Sequence, residues 1–217
     1  MQHEASDRTA FRRAVFLDKD GTLVENVPYN VEPSAIQLTR NAGRALRRLA
    51  DEGYALIVIS NQPGIAQQRF DFASLERARV HLAGLLASEG VHLDGFYFCP
   101  HHPDGSWAEY AYRCACRKPM PGLFLRAARE LEIDLSASWM IGDILDDIEA
   151  ARRAGCRAVL LDIGNETEWL VGELRVPHGR ASDLDQAARL ICDEGREENR
   201  CAQCGQDPHA QSALGAA

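Results

Sequence analysis

No apolar run in the 217 residues approaches the roughly 18–20 that a membrane-spanning helix needs. Nor is there a basic arm or a Lys/Arg-rich block: 24 basic residues face 32 acidic ones, for a formal net charge of −8. Without such a block the phosphates of a polynucleotide go unneutralised, which excludes a general nucleic-acid binder. A small anionic ligand needs only a local positive site and stays open. The first residues, MQHEASDRTAFRR, lack the apolar stretch of a secretory leader. An even cysteine set is missing as well: there are seven, Cys99, Cys114, Cys116, Cys156, Cys192, Cys201 and Cys204. They read as reduced thiols or metal ligands rather than a disulfide framework, and the expected compartment is the cytoplasm.

What is present is an ordinary globular composition, 46% hydrophobic and 26% charged, long enough for one sizeable core. Short apolar runs alternate with helix-period segments. AVFL (14–17), YALIVIS (54–60), GFYFCP (95–100), WMIG (139–142) and RAVLLDI (157–163) are continuous rather than alternating, as strands covered on both faces are. Between them lie NAGRALRRLADEG, DFASLERARVHLAGLLASEG, PGLFLRAAREL and DDIEAARRAG. In the second of these, Leu75, Ala78, Leu82, Leu85 and Leu86 recur at helical spacing, a core stripe. Gly53, Gly90 and Gly155 each follow a helical run, where a left-handed residue is wanted. The alternation predicts an α/β fold: a doubly wound, Rossmann-like parallel sheet with helices on both faces. One domain spans 11–195. Residues 1–10 and 196–217 are expected to be flexible tails, the second carrying a Cys201-x-x-Cys204 pair with His209 nearby, a weak metal or redox signal. A monomer is the default expectation.

Ligands of such sheets bind beyond the carboxyl ends of the strands. Asp18, Ser60, Cys99 and Asp143 all fall there. AVFLDKDGT ends a buried strand in Asp18 and Asp20, which suits a metal site, an acid/base pair or a capped turn. Ser60, Asn61 and Gln62 offer a hydroxyl and amides of the kind that hold phosphate oxygens. Arg117 and Lys118 stand just before a Pro-started helix. In MIGDILDD, Asp143 is followed one helical turn later by Asp147.

In this order, the four segments resemble the haloacid-dehalogenase-like phosphohydrolases, from about Phe11 to Asp185. The matching pattern is hhhhDxDGT, hhhSN, Lys before Pro, and hhGDxxxD. The resemblance implies a Mg²⁺-dependent aspartyl-phosphate mechanism. Asp18 would be the nucleophile and Asp20 the general acid and base. Asp18, the Asp20 carbonyl and Asp143 would hold Mg²⁺. Ser60 and Lys118 would grip the transferring phosphoryl group, with Thr22 supporting the Asp20 loop and Asp147 orienting the shell.

A second constellation lies between these motifs. Cys99-x-His101 is followed, after residues 102–113, by Cys114-x-Cys116. Three thiols and an imidazole in two close pairs suit a closed, structural Zn²⁺ site in a loop over 99–116 that ends beside Arg117 and Lys118. This knuckle narrows the resemblance to the compact, capless branch of the family, which holds heptose-bisphosphate and histidinol-phosphate phosphatases. Only about 30 residues separate the first motif from the next strand, too few for a cap domain. The wording CPHHPDG…CACRKPMPG favours the heptose side, and GNETEW (164–169) adds to the match. The partner expected is thus a small phosphorylated metabolite, with a histidinol-phosphate enzyme or a non-catalytic zinc-knuckle module as alternatives. Two departures concern the substrate: Gln67 and Gln68 precede Arg69 where an Arg is usual, and Ile144 stands where a Lys is usual. Each missing cation weakens a grip on phosphate by roughly 1.5–3 kcal/mol.

Overall fold

The computed structural model describes residues 11–204. Six parallel strands form one sheet in the order β3-β2-β1-β4-β5-β6. They are β1 (Ala14–Leu17), β2 (Ala55–Asn61), β3 (Gly95–Cys99), β4 (Trp139–Gly142), β5 (Arg157–Leu161) and β6 (Gly179–Ala181). Five helices connect or flank them: α1 (Ala42–Asp51), α2 (Phe72–Ser88), α3 (Gly122–Leu131), α4 (Leu145–Ala154) and α5 (Leu184–Cys204). The chain runs outward from β1 through β2 to β3, then returns to the other side of β1 to lay down β4. The strand order therefore reverses between β1 and β4. At such a switch point the loops diverge and leave a crevice.

Side chains of a strand alternate between the two faces, and a sheet covered on both sides needs an apolar set for each. Val15 and Leu17 of β1, with Leu56, Val58 and Ile141, pack under α1, α2 and α5. Ala14 and Phe16, with Ile57, Ile59 and Met140, pack under α3 and α4. All four residues of β1 are fully buried, which explains the unbroken AVFL run. In α2, Leu75, Ala78, Leu82 and Leu86 are buried and Leu85 packs at the margin. Gly53, Gly90 and Gly155 take positive φ after α1, α2 and α4.

The segment between β1 and α1 contains one 3₁₀ turn (Pro33–Ala35). Among the described residues no separate domain covers the carboxyl edge of the sheet, as expected of a capless chain. Nor is any helix among them long and apolar enough to cross a membrane.

Two elements depart from the sequence expectation. β6 is three residues of Gly-Arg-Ala, too short and too polar to show a strand pattern, and exists through its pairing with β5. α5 was not among the helix-period segments, yet Asp183 caps it by accepting the Gln186 amide at 2.8 Å and it buries Leu184, Ala187, Ala188 and Ile191 against the sheet. It also runs to Cys204, past the boundary set at 195. Glu and Arg are good helix formers even without an apolar stripe, and Arg196 ties this stretch to Glu52. The side chains of Cys201 and Cys204, the position of His209 and residues 1–10 lie outside what the structure describes, and with them the metal or redox reading of that pair.

Candidate active site

Asp18 follows β1 and Asp143 follows β4, so the two flank the crevice at the switch point. Lys118, carried at the end of the long β3–α3 loop, enters between them. Its ammonium pairs with Asp18 and, at 2.6 Å, with Asp147, and donates to the Ile59 carbonyl at 3.0 Å. All four charged groups are buried. Burial alone would strip Lys118 of its proton, but Asp147 and Asp18 outweigh it and hold the ammonium above its ordinary range.

One cation does not neutralise three carboxylates. The oxygens of Asp18, Asp143 and Asp147 lie within 4.8 Å of one another. Burial, with the charge of Asp18 added, pushes Asp143 up to about 6 against hydrogen bonds from Asn165 and Thr22. Burial likewise pushes Asp147 up to about 8 against the pull of Lys118. Such acids must protonate unless a further cation joins them. Hard, closely spaced oxygens with surplus negative charge suit a Mg²⁺-like ion. Asp147 is the least free of the three. One oxygen faces Lys118 and the other accepts the amides of Asp143 and Ile144, at 3.2 and 3.3 Å. It braces the site, leaving Asp18 and Asp143 as the available carboxylates.

A sign follows for the pH dependence. Both folded values lie above the ordinary 3.8. The stability these acids give the metal-free protein is therefore fully present below 3.8 and is lost as the pH rises through about 6 and then about 8. A Mg²⁺ ion held by these carboxylates would take their ionised forms, so its stabilising increment would grow across the same interval. The rise in Tm on adding Mg²⁺ should be larger at the alkaline end of this interval than at the acidic end, at roughly 2–4 °C for each kcal/mol of binding. Comparing melts with and without the ion cancels the other titrating groups. An increment that shrinks with pH would refute the assignment.

Around this cluster the predicted residues fall into place unevenly. Ser60 is buried and its hydroxyl accepts from Gln62 Nε2 at 2.8 Å, which leaves its own hydrogen to donate. Gln62 Nε2 also donates to Asp20 Oδ2 at 2.9 Å, so it orients the acid rather than standing free for phosphate. Asn61 is engaged too. Its amide donates to the Lys118 carbonyl at 3.1 Å and its carbonyl accepts the Lys118 amide at 3.0 Å. This two-bond clamp fixes the chain that carries the ammonium. Arg117 is half-buried with its Nη1 enclosed and unpartnered. Burial raises the Asp20 carboxyl, against the opposing charge of Lys19 and with the repulsion of Asp18 added. Thr22 donates to Asp143 Oδ1 at 3.0 Å, so it supports Asp143 rather than the Asp20 loop.

Three contributors escaped the sequence reading. Lys19 sits inside the DKD motif but pairs with Asp20, where alternation along a strand would have sent it away. Asn165 donates to Asp143 Oδ2 at 2.8 Å from 22 residues downstream. Tyr112, one of several polar positions in the long loop, contacts His101 Nε2 at 2.7 Å.

The knuckle residues converge as their spacing predicts. Cys99 Sγ lies 3.5 Å from Cys114 Sγ and 3.2 Å from Cys116 Sγ, and the latter two are 3.2 Å apart. His101 Nδ1 is 3.5 Å from Cys99 Sγ and 3.2 Å from Cys116 Sγ. No disulfide joins them. Four soft donors with these separations approximate the edges of a tetrahedron around one metal ion, about 3.5–3.8 Å for Zn–S bonds of ~2.3 Å. The neighbouring Cys99, Cys114 and His101 pull Cys116 down to about 5 against its burial. Cys99, in contact with Cys116 and buried, is pushed up. His101 Nδ1 faces the sulfurs while Nε2 meets Tyr112 Oη at 2.7 Å, and the two contacts set the ring's orientation.

A HAD-hydrolase-like family model matches residues 115–187. A protein of Escherichia coli (strain CFT073) is 38% identical over 185 residues, covering 81% of this chain and 94% of its own length. A relative from Photorhabdus laumondii is 45% identical over 178 residues, with 82% and 88% covered. Among solved structures, D,D-heptose 1,7-bisphosphate phosphatase from B. bronchiseptica, complexed with magnesium and phosphate, superimposes with a TM-score of 0.68 at 29% identity, covering 84% of this chain and 99% of that one. The chain belongs to the HAD-like hydrolases and stands among their phosphoric monoester hydrolases. Both sequence relatives carry the name D-glycero-beta-D-manno-heptose-1,7-bisphosphate 7-phosphatase.

Proposed function

We propose that this chain hydrolyses one phosphate ester of a small sugar bisphosphate, D-glycero-β-D-manno-heptose 1,7-bisphosphate, and leaves the 1-phosphate. The observation that carries this reading is Asp18. It is a buried carboxylate at the end of β1, tied to Lys118 and flanked by Asp143 and Asp147, in a chain 38–45% identical to phosphatases of that name.

The geometry supports a role for each residue. Asp18 attacks phosphorus in line, forming an acyl phosphate as the P–O bond to the sugar breaks. Asp20, held by Gln62 and Lys19 and raised by burial, gives its proton to the departing sugar oxygen. It then takes a proton from the water that cleaves the acyl phosphate and regenerates Asp18. The ammonium of Lys118 and the hydroxyl of Ser60 bind phosphoryl oxygens, and Arg117 brings a further cation to the rim. Asp18, Asp143 and the Asp20 carbonyl would hold Mg²⁺, which would offset the repulsion between carboxylate and phosphate. Cys99, His101, Cys114 and Cys116 would hold a structural Zn²⁺, with protein donors in all four positions. Thiol ligation of this kind persists in a reducing compartment, and we place the enzyme in the cytoplasm.

With no lid domain, loops choose the substrate. Arg69, beyond Gln67 and Gln68, lies over the Tyr29 ring at 4.0 Å and joins the loop after β2 to the loop after β1. The test is a panel of heptose 1,7-bisphosphate anomers, histidinol phosphate and other sugar bisphosphates compared by kcat/KM. We expect a heptose bisphosphate to lead by at least about tenfold, which is 1.4 kcal/mol of differential transition-state binding. A lead for histidinol phosphate would reassign the substrate. No turnover of any phosphate ester by folded, Mg²⁺-supplied protein would make it a binding module.

A further inference from the structure

The segment Gly164–Trp169 follows β5 and touches none of the four motifs in sequence, yet it meets the metal carboxylate directly. Asn165 Nδ2 donates to Asp143 Oδ2 at 2.8 Å, while Thr22 donates to the other oxygen at 3.0 Å. Asp143 is thus gripped from the β1 loop on one side and the β5 loop on the other. The fit is close. A Cβ on Gly21, which sits at φ +92°, would fall within 2.7 Å of Asn165 Nδ2 and 2.9 Å of Asp143 Cγ.

The next residue anchors this contact. α4 begins after Ile144, whose side chain accepts no hydrogen bond, so the first helical amides lack the usual cap. Glu166 Oε2 fills that place from the neighbouring loop after β5 and accepts the Leu145 amide at 2.6 Å. Its other oxygen accepts the Glu168 amide at 2.8 Å, which folds the segment back on itself. One carboxylate therefore ties the β5 loop to the first turn of α4, two residues beyond Asp143.

We infer that Asn165 and Glu166 are positioning residues for Asp143: Glu166 pins the β5 loop to α4 so that the Asn165 amide fixes one carboxylate oxygen and leaves the remaining lone pairs directed at the metal. The inference rests on the Mg²⁺ reading proposed above. Neither residue touches substrate. A donor held rigidly on a ligating carboxylate is worth about 10–100-fold in metal affinity.

The experiment is a calorimetric Mg²⁺ titration, with no substrate present, of the wild-type chain, Asn165→Ala, Glu166→Ala and Glu166→Gln. Glutamine keeps one acceptor for the Leu145 amide and serves as the conservative rescue. We expect the Mg²⁺ Kd to weaken about 10–100-fold in Asn165→Ala and in Glu166→Ala, with Glu166→Gln recovering most of the loss. In turnover the Mg²⁺ activation constant should rise while kcat at saturating Mg²⁺ and the substrate KM stay near wild type. A fold collapse in Glu166→Ala would be seen by circular dichroism, and Asn165→Ala, which removes no cap, then decides. An Asn165→Ala Kd equal to wild type overturns the inference alone. A wild-type chain that binds no Mg²⁺ overturns it together with the catalytic reading.

Discussion

Replacing Asp18 by Asn leaves a folded protein whose turnover is lower by about 10⁵–10⁶-fold, the scale of losing a nucleophile that works as part of a unit. The amide occupies the same volume, so β1 and its two apolar faces keep their packing. What changes is charge. Lys118 retains Asp147 at 2.6 Å as its partner, so no buried ammonium is orphaned. Meanwhile Asp143 loses the neighbour whose charge helps push it to about 6. The Mg²⁺-free variant should therefore melt at or above the wild-type temperature, although its chemistry is gone. Activity and stability move in opposite directions, as expected where like charges are held together for function. Two measurements check this: a thermal melt without metal, and single-turnover kinetics with mass spectrometry to detect a phosphorylated protein. A variant that still turns over within about tenfold of wild type, or still acquires a phosphate, removes Asp18 as nucleophile.

The same carboxylates show how far a sequence alone reaches. Asp18, Asp20 and Asp143 were legible because they follow the end of an apolar strand, where a parallel sheet exposes its crevice, and Asp147 because it lies one helical turn beyond Asp143. The strands were legible because a sheet covered on both faces demands unbroken apolar runs. Asn165 and Glu166 were not. They lie in a polar loop, and their partners become neighbours only once β5 is laid beside β4. Asn61 and Gln62 stand at the end of β2, but what their amides bond is a tertiary fact: a Lys118 backbone 57 residues away for one, an Asp20 oxygen 42 residues away for the other. Local pattern gives the element and its end, whereas the partner of a side-chain amide depends on which loops the fold folds together. α5 was missed for a related reason. Its apolar stripe is built largely of Ala and is helical because α1 and the sheet lie beneath it.

Taking the zinc away, by Cys114→Ser or by chelation followed by full resupply of Mg²⁺, should cost about 10²-fold in turnover while the core stays folded. Both consequences come from where the knuckle sits. Cys99 ends β3 and is buried, whereas Cys114 and Cys116 lie on the loop that leads into Arg117 and Lys118. With a metal binding all four side chains, the loop spanning 100–113 is closed at both ends, two residues short of the ammonium that must meet Asp18. Without it, the Asn61 clamp is the hold that remains on the Lys118 backbone, at 3.0 and 3.1 Å. A displacement of about 1 Å in a group that positions the reacting phosphoryl costs on the order of 10²-fold. The knuckle belongs to the apolar layer under α3 and α4, where Cys99 is core and Cys114 and Cys116 pack against it, while the layer under α1, α2 and α5 contains none of its residues, so the melt should lose a local part first and keep its main transition. Limited proteolysis should cut the released loop between 102 and 113, and metal analysis should fall by one zinc per chain. Readdition of Zn²⁺ to the chelated wild type restores activity, whereas Mg²⁺ alone does not. If the zinc-free protein resists protease and turns over at the wild-type rate, the knuckle does not aim Lys118, and the ammonium must be held by its two carboxylates and the Asn61 clamp alone.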